Sequence, residues 1–512
     1  MIFRQHDTHP LRMYIESSRE SIEALSASLY DKFYYQSPYA NEQEEVSEID
    51  QLIFTDEEGN SYFPSGIVSI VKDAAQRLGN NVEVYYSDKY KVVVEDVNVP
   101  DDIIDGITLR YYQLDGVKAA LIYKRGLIQV PTGGGKSNMM IAVCKMLHAS
   151  DNFNIIMCVP TTYLLHQTYD NAIAAGVSKK DLCKYGDGNE LEPNKRIVIA
   201  TVQTLYRRLD KEDSVLVKWF ENVNCVIFDE VQHVSSMSWY TVADRLQPEY
   251  LLGFSAEPFY GDREHMVRDL ITRGTLGSIL YRASMKELTE KGYLSKPYVI
   301  AMNSKYRGRI YDLINWHSVN KSGIVDNILR NDLIVNTSLM LISLNKNPLI
   351  LVQQIRHGKD LAIKLSSHDK KVAMMTGGSI VTVYSGGMEV DSYKDEEGIV
   401  KNQFRNGLLD AIIGTSTLDE GVDMPSLSSV ILAGGGKVSI RIIQRVGRGL
   451  RVKKGDNTTF IIDFQDRFNV VLAKHFRIRK STFDKNNIPV YFADTVDQAM
   501  YIVNNLKQPS ND

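Results

Sequence analysis

The sequence predicts an α/β protein with two tandem parallel-sheet domains preceded by a small α+β domain. Three observations predict it: short, uniformly apolar runs alternate with helix-like segments over residues 108–259, the same alternation returns after about Asn347, and the stretch before Asp105 is patterned differently. Runs that are apolar throughout, and too short for buried helices, are what strands covered on both faces by helices require. At ~150 residues per domain, a 512-residue chain has room for roughly three.

The first segment, 1–105, is expected as an acidic accessory domain. Residues 17–30 (SSRESIEALSASLY) place Ser17 three positions before Glu20, a capping-box spacing ahead of a helix. Residues 66–80 predict a second amphipathic helix with Gly79 placed to end it, and 82–87 with 90–97 resemble a hairpin turning at Asp88 and Lys89. Residues 106–295 form the first parallel-sheet domain, with strands at 126–131, 155–160, 197–202, 225–230 and 251–256 and a helix over 137–149. Residues 296–335 read as a poorly patterned connector. The second domain spans 336–480, with strands at 348–354, 410–415, 428–434 and 460–464, and 376–405 is Gly-rich and charged without a clear period. Residues 481–512 read as a tail.

The formal net charge of -4 conceals an asymmetry. Residues 1–105 hold 8 Lys+Arg against 21 Asp+Glu, leaving 51 against 42 for the remainder. A basic remainder suits phosphate contact, and the acidic front is not expected to grip a phosphate backbone over its whole surface. Cys144, Cys158, Cys183 and Cys225 lack C-x-x-C spacing, which excludes a zinc ribbon or disulfide framework and predicts a reducing compartment. No signal peptide is visible, and no run approaches the ~20 apolar residues of a membrane span.

Residues 129–137 (QVPTGGGKS) follow an apolar strand and open a helix. Gly133, Gly134 and Gly135 let the backbone curl so that N–H groups face phosphate oxygens. Lys136 supplies a point charge to the β and γ phosphates, and the Ser137 hydroxyl is placed for Mg²⁺. Val130 stands where the consensus phosphate loop begins with Gly. Asp229 and Glu230 end another apolar strand, where one carboxylate can hold Mg²⁺ and its neighbour can orient and deprotonate a water. Arg448 and Arg451 share a helix face, either as a solvated basic patch or as fingers stabilising charge on a γ-phosphate. The run KHFRIRK (474–480) suits phosphate contact with stacking, or a solvated helix end. In KFYYQSPY (32–39), core packing of Phe33 and Tyr35 is the better reading than an exposed aromatic wedge.

The ordered set of motifs resembles the superfamily-two helicases and translocases, whose motor is a pair of RecA-like domains. It runs from LRYYQ (109–113) and PTGGGKS through VPTTYLLHQ (159–167), ATVQTL (200–205), DEVQH (229–233) and FSAEP (254–258) to GTSTLDEGVDMP (414–425) and QRVGRGLR (444–451). The resemblance implies ATP and Mg²⁺, catalysis by Lys136, Asp229, Glu230, Arg448 and Arg451, and metal contact by Ser137 and Asp229. It adds Arg110, Gln113, Thr132, Gly133 to Ser137, Gly421 and Asp423 at the nucleotide, with Gln113 reading adenine. Thr161, Thr162, Gln203, Thr204 and Thr415 would lie along the nucleic-acid strand. Gln232, Ser255 and Gln444 would couple hydrolysis to motion. Here Gln232 takes the place of the DEAH-type histidine, with His233 next along, and Glu257 stands where motif III carries a hydroxyl. Either Gln232 or His233 could therefore serve as the coupler.

A segment at 61–79 is similar to the accessory domain of the UvsW-type helicases of tailed phages. That implies a branched or single-stranded DNA substrate, fork or junction branch migration, unwinding or annealing, three-prime to five-prime tracking, and a place in the bacterial host cytoplasm. Recombination or replication proteins are expected partners of the acidic front. An RNA helicase of the DExH type, or a nucleotide-dependent scaffold without unwinding, are the alternatives. A restriction translocase would need an appended nuclease domain, for which the stretch after Lys480 is too short.

Overall fold

The computed structural model describes residues 1–6, 9–33, 51–87, 96–149, 153–209, 214–246, 248–261, 265–377, 380–395, 399–415, 427–436 and 458–506. The chain divides into two units, one of Met1–Pro131 and Gly135–Ala283, the other of Thr132–Gly134 and Ser284–Asp512.

In the first unit, β1 (Ile2–His6), β2 (His9–Glu16), β3 (Phe54–Thr55), β4 (Ser61–Pro64) and β5 (Glu83–Tyr85) make a sheet in the order β3-β4-β2-β1-β5. Helices α1 (Arg19–Phe33) and α2 (Val68–Arg77) accompany it. The first turn of α1 is capped by Ser18, whose Oγ accepts from Ser21 N at 3.3 Å, one residue later than the capping box anticipated. Gly79 follows α2 at φ 84°, a left-handed position that suits glycine. β5 pairs in parallel with β1, and the turn and most of the second arm of the expected hairpin, residues 88–95, lie outside the described residues. Phe33 packs against the accessory core, while Tyr35 lies outside the described residues.

The second sheet has seven strands, all parallel: β6 (Arg125–Gln129), β7 (Asn154–Val159), β8 (Leu182–Tyr185), β9 (Ile197–Thr201), β10 (Val223–Asp229), β11 (Tyr250–Ser255) and β12 (Ile279–Arg282). Their order is β12-β6-β11-β10-β7-β9-β8. Helices α3 (Tyr111–Tyr123), α4 (Lys136–His148), α5 (Thr162–Ala174), α6 (Val202–Leu209), α7 (Ser214–Phe220), α8 (Met237–Arg245) and α9 (Met266–Leu276) connect the strands. Val226, Ile227 and Phe228 of β10 are fully buried, and each such side chain contributes about 1.5–3 kcal/mol. All four cysteines are free and buried, and burial raises every one of their thiols, Cys144 to about 12. They are core residues rather than reactive ones.

The second unit holds a nine-stranded sheet in the order β17-β16-β15-β18-β14-β19-β20-β13-β21. Its strands are β13 (Lys296–Asn303), β14 (Pro348–Leu351), β15 (Val372–Thr376), β16 (Ile380–Ser385), β17 (Met388–Lys394), β18 (Ala411–Gly414), β19 (Ser429–Leu432), β20 (Thr458–Gln465) and β21 (Val490–Ala493). Three expectations need correcting. The segment 296–335 is no mere connector, because β13 runs between β20 and β21 with a buried interior. Pro297 obscures that strand in the sequence but stands near its start, a position proline tolerates. The 376–405 stretch contains the antiparallel β16–β17 hairpin, turned at Gly386 and Gly387. A register shift at Val383/Tyr384 and an almost wholly exposed β17 erase its alternation. The expected tail supplies β21 and a helix, Val496–Leu506, whose Ala499 and Val503 join the second core.

Candidate active site

The strand register brings the chemistry together. β6, β11 and β10 are neighbours, with Gln129 opposite Ser255 and Asp229 opposite Phe254, so the turns leaving their carboxyl ends converge. Ligands in open parallel sheets bind at such ends. The turn after β6 contains Gly133 at φ 82° and Gly135 at φ 85° and leads into α4 at Lys136. A side chain at Gly135 would collide with Gln113, whose Nε2 lies 2.1 Å from the position a Cβ would take. Gln113 is buried and accepts from Arg110 N through Oε1 at 2.9 Å, closing a capping box at the start of α3. The expected adenine reader thus packs directly on the glycine turn.

Lys136 Nζ lies 3.6 Å from Glu230 Oε1. Gln232 Nε2 donates to Glu230 Oε2 at 2.9 Å, Ser255 Oγ donates to Gln232 Oε1 at 2.7 Å, and Glu257 N donates to Ser255 Oγ at 3.0 Å. Two segments, 230–232 and 255–257, therefore form one hydrogen-bonded chain that runs from Glu257 through Ser255 and Gln232 to the Glu230 carboxylate. It runs through Gln232, whereas the His233 ring packs on Trp239 with centroids 5.5 Å apart. Glu230 holds φ 52°, a left-handed conformation that costs a non-glycine residue of order 1–3 kcal/mol. Strain at a carboxylate fixed by lysine and amide contacts is pre-organisation paid for in the fold.

Asp229 is 7% exposed and accepts from Glu230 N through Oδ1 at 3.0 Å. Burial, followed by the charge of Glu230, pushes its carboxyl above the usual range, and Lys136 opposes the shift. Two adjacent carboxylates, with Ser137 next in the chain to the Lys136 that reaches Glu230, fit a hard divalent cation. Among the described residues, no cluster of three or more His, Cys, Asp or Glu could hold a metal by itself.

Burial also pushes the Glu257 carboxyl up, from 4.5 to about 8. The unfolded group ionises near 4.5 while the folded one keeps its proton, so its contribution worsens as pH rises through that interval and levels off above about 8. Glu257→Gln removes this penalty. It should stabilise the protein at pH 8 and change it little at pH 4.5, read from thermal unfolding at both pH values. An equal effect at both would contradict the burial account.

Of the other expected residues, Thr161 and Thr162 follow β7, and Gln203 and Thr204 follow β9. Thr161 caps α5, accepting from Leu164 N at 3.3 Å, and Thr162 begins the helix with its side chain exposed. Gln203 is exposed on α6, and Thr204 Oγ1 lies 2.8 Å from Thr201 Oγ1. Unforeseen was the Gly186-Asp187-Gly188 turn after β8, which approaches Thr201 and Thr204. Asp187 Oδ2 lies 2.8 Å from His166 Nε2, and Lys184 Nζ 3.3 Å from His166 Nδ1. A glycine–polar–glycine turn was the available signal. Thr415, in the second unit, is 7% exposed at the end of β18. Gly421, Asp423, Gln444, Arg448 and Arg451 lie outside the described residues.

The basic run 474–480 lies on a helix, Val470–Lys485, and only part of it faces solvent. Arg479 is buried against Asp463, His475 packs on Trp316, and Lys480 pairs with Asp484, leaving Lys474 and Arg477 exposed.

A family described as "Type III restriction enzyme, res subunit" matches residues 106–260, and one described as "Helicase conserved C-terminal domain" matches 334–453. Together they span more than half of the chain. The chain is 27% identical to "DNA 3'-5' translocase XPB2" of Sulfurisphaera tokodaii, covering 73% of this chain and 86% of that protein. It is 23% identical to "ATP-dependent DNA helicase uvsW" of enterobacteria phage T4, covering 68% and 66%. The structure of Saccharomyces cerevisiae Dbp5 bound to RNA and ADP BeF3 shares the fold, with a TM-score of 0.51 at 16% identity, over 78% of this chain and 98% of that one. Among the described residues, no helix is long and apolar enough to cross a membrane.

Proposed function

The chain belongs to the superfamily-two helicases, ATP-driven motors that act on nucleic acid, and on that premise we propose that it is a DNA translocase that remodels forks and four-way junctions. The observation that carries the reading is the Lys136–Glu230–Gln232–Ser255 chain, which presents one oriented carboxylate beside the phosphate turn.

Glu230 orients the attacking water and takes its proton at a carboxylate oxygen. Lys136, whose ammonium now lies by Glu230, turns to the β and γ phosphates when nucleotide binds. Ser137 and Asp229 would hold Mg²⁺, which would supply neutralising charge at those phosphates. Gln113 and Arg110 recognise the base, with Thr132, the glycine turn, Gly421 and Asp423 around the nucleotide. Arg448 and Arg451 stabilise charge developing on the γ-phosphate. Gln232, bridging Glu230 and Ser255, reports the state of the site to the rest of the motor, with Gln444 in the same coupling role. Thr161, Thr162, Gln203, Thr204 and Thr415 line the DNA strand.

The choice of DNA follows the printed names of the archaeal translocase and the phage helicase. RNA is the second reading, favoured by the shared fold with an RNA-bound relative. ATP hydrolysis measured with single strands, duplex, fork, four-way junction and RNA hairpins separates them. Forks and junctions should stimulate most, and a response to RNA alone would overturn the DNA reading.

A further inference from the structure

The accessory sheet does not close its own core. Phe54, Tyr62, Phe63 and Ile67 share a buried cluster with Tyr240 of α8 and with Leu270 and Ile271 of α9. The backbones meet at two glycines. A Cβ on Gly66 would lie 2.3 Å from the Arg273 carbonyl oxygen, and one on Gly274 would lie 2.6 Å from the Pro64 ring. Arg125, at the start of β6, stitches the same seam by donating to Ser65 Oγ at 2.8 Å and to the Gly274 and Thr275 carbonyls at 2.8 Å each.

One ion pair and one aromatic stack fasten α8. Arg12 Nε donates to Asp244 Oδ1 at 2.9 Å and Arg12 Nη2 to Asp244 Oδ2 at 2.5 Å, a fork matched to a carboxylate. The two side chains are 18% and 12% exposed, and the guanidinium lies 4.4 Å over the Tyr62 ring. Phe54 stacks on Tyr240 with centroids 5.1 Å apart.

What α8 and α9 touch next gives this seam its meaning. Both helices pack against the turn Val231–Ser235, which carries Gln232. Asp269 of α9 accepts from Tyr260 N and Gly261 N at 2.8 Å each, just past Ser255 and Glu257. A continuous set of packed elements therefore joins the accessory sheet to the two ends of the Gln232–Ser255 hydrogen bond.

We infer that Arg12 and Asp244 are positioning residues for ATP turnover, clamping the accessory domain onto α8 so that Gln232 and Ser255 stay in register with Glu230. The accessory domain then acts on hydrolysis itself and is more than a tethered substrate reader. This inference rests on the proposed roles of Glu230, Gln232 and Ser255.

The test uses the full chain and steady-state ATP hydrolysis with a saturating forked DNA duplex, comparing Arg12→Met, Asp244→Asn, the milder Arg12→Lys, and the exchange Arg12→Asp with Asp244→Arg. In Arg12→Met and Asp244→Asn, kcat should fall roughly tenfold while KM for ATP and fork affinity stay within about twofold. Arg12→Lys should fall less, and the exchanged pair should recover a large part of the loss. Wild-type kcat in the folded single variants overturns the inference. So does a kcat loss that matches the unfolded fraction in a thermal melt and is not recovered by the exchange, because unfolding removes active enzyme without changing KM or affinity. If Arg12→Met does not fold, Arg12→Lys decides on the same kcat criterion. Glu230→Gln in the same assay keeps the two claims apart. Turnover by that variant defeats the site reading, whereas a dead Glu230→Gln beside a fully active Arg12→Met defeats only the clamp.

Discussion

Glu230→Gln should reduce ATP hydrolysis by about a thousandfold while ATP binding survives. The exchange keeps size and hydrogen-bonding capacity but removes the only function of Glu230 that an amide cannot perform, accepting the proton of the attacking water; such a role is worth roughly 10²–10⁴ in rate. Gln232 Nε2, 2.9 Å from the acid, can still bond to the amide oxygen, so the local geometry survives. Lys136→Ala should be as damaging by a different route, weakening nucleotide affinity as well as kcat, because the lysine contributes charge at the phosphates in both ground and transition states. Steady-state hydrolysis combined with nucleotide titration distinguishes them. Glu230→Gln should lower kcat alone, and Lys136→Ala both quantities. Full turnover by Glu230→Gln would remove the general base from this account.

Arg479→Met should cost about 3–5 kcal/mol of stability. Arg479 is 3% exposed and Asp463 is fully buried. Its Nε lies 3.1 and 2.9 Å from the two Asp463 oxygens, Nη1 donates to the Gly436 carbonyl at 2.6 Å, and Nη2 to the Phe464 carbonyl at 3.1 Å. Removing the cation strands a carboxylate in the interior and orphans two carbonyls. Adding Asp463→Leu to Arg479→Met should restore part of the loss, since deleting both charges avoids the isolated one. Denaturant unfolding of both variants measures this. If Arg479→Met unfolds at the wild-type midpoint but binds DNA more weakly, the arginine serves phosphate contact after all.

Arg479 also shows where sequence reading stops. In KHFRIRK it is indistinguishable from Arg477, two positions away, yet one is buried on Asp463 and the other is exposed. The deciding partner lies on another strand, and no local period encodes it. The phosphate turn was legible because its chemistry is consecutive: a strand, three glycines, Lys136 and Ser137 act where they stand in the chain. The parallel strands were legible for a related reason, since burial on both faces leaves an unbroken apolar run. Elements that violate that regularity were misjudged. β13 has a proline as its second residue, β17 buries almost nothing, and β21 lies within the stretch that reads as a tail. The bridge from Glu230 through Gln232 to Ser255 could be suspected from motif order. The preference for Gln232 over His233 needed the tertiary placement of Trp239. The accessory seam was invisible, because Gly66 and Gly274 acquire meaning only when α9 lies against Pro64.

Hydrolysis at Glu230 is proposed to drive movement on branched DNA. The most direct measurement is branch migration of a synthetic four-way DNA junction by the wild-type chain and by Glu230→Gln, with ATP and Mg²⁺. The account predicts ATP-dependent resolution of the junction by the wild type and none by the variant. Resolution by both, or hydrolysis by the wild type that leaves junctions and forks unmoved, would contradict it.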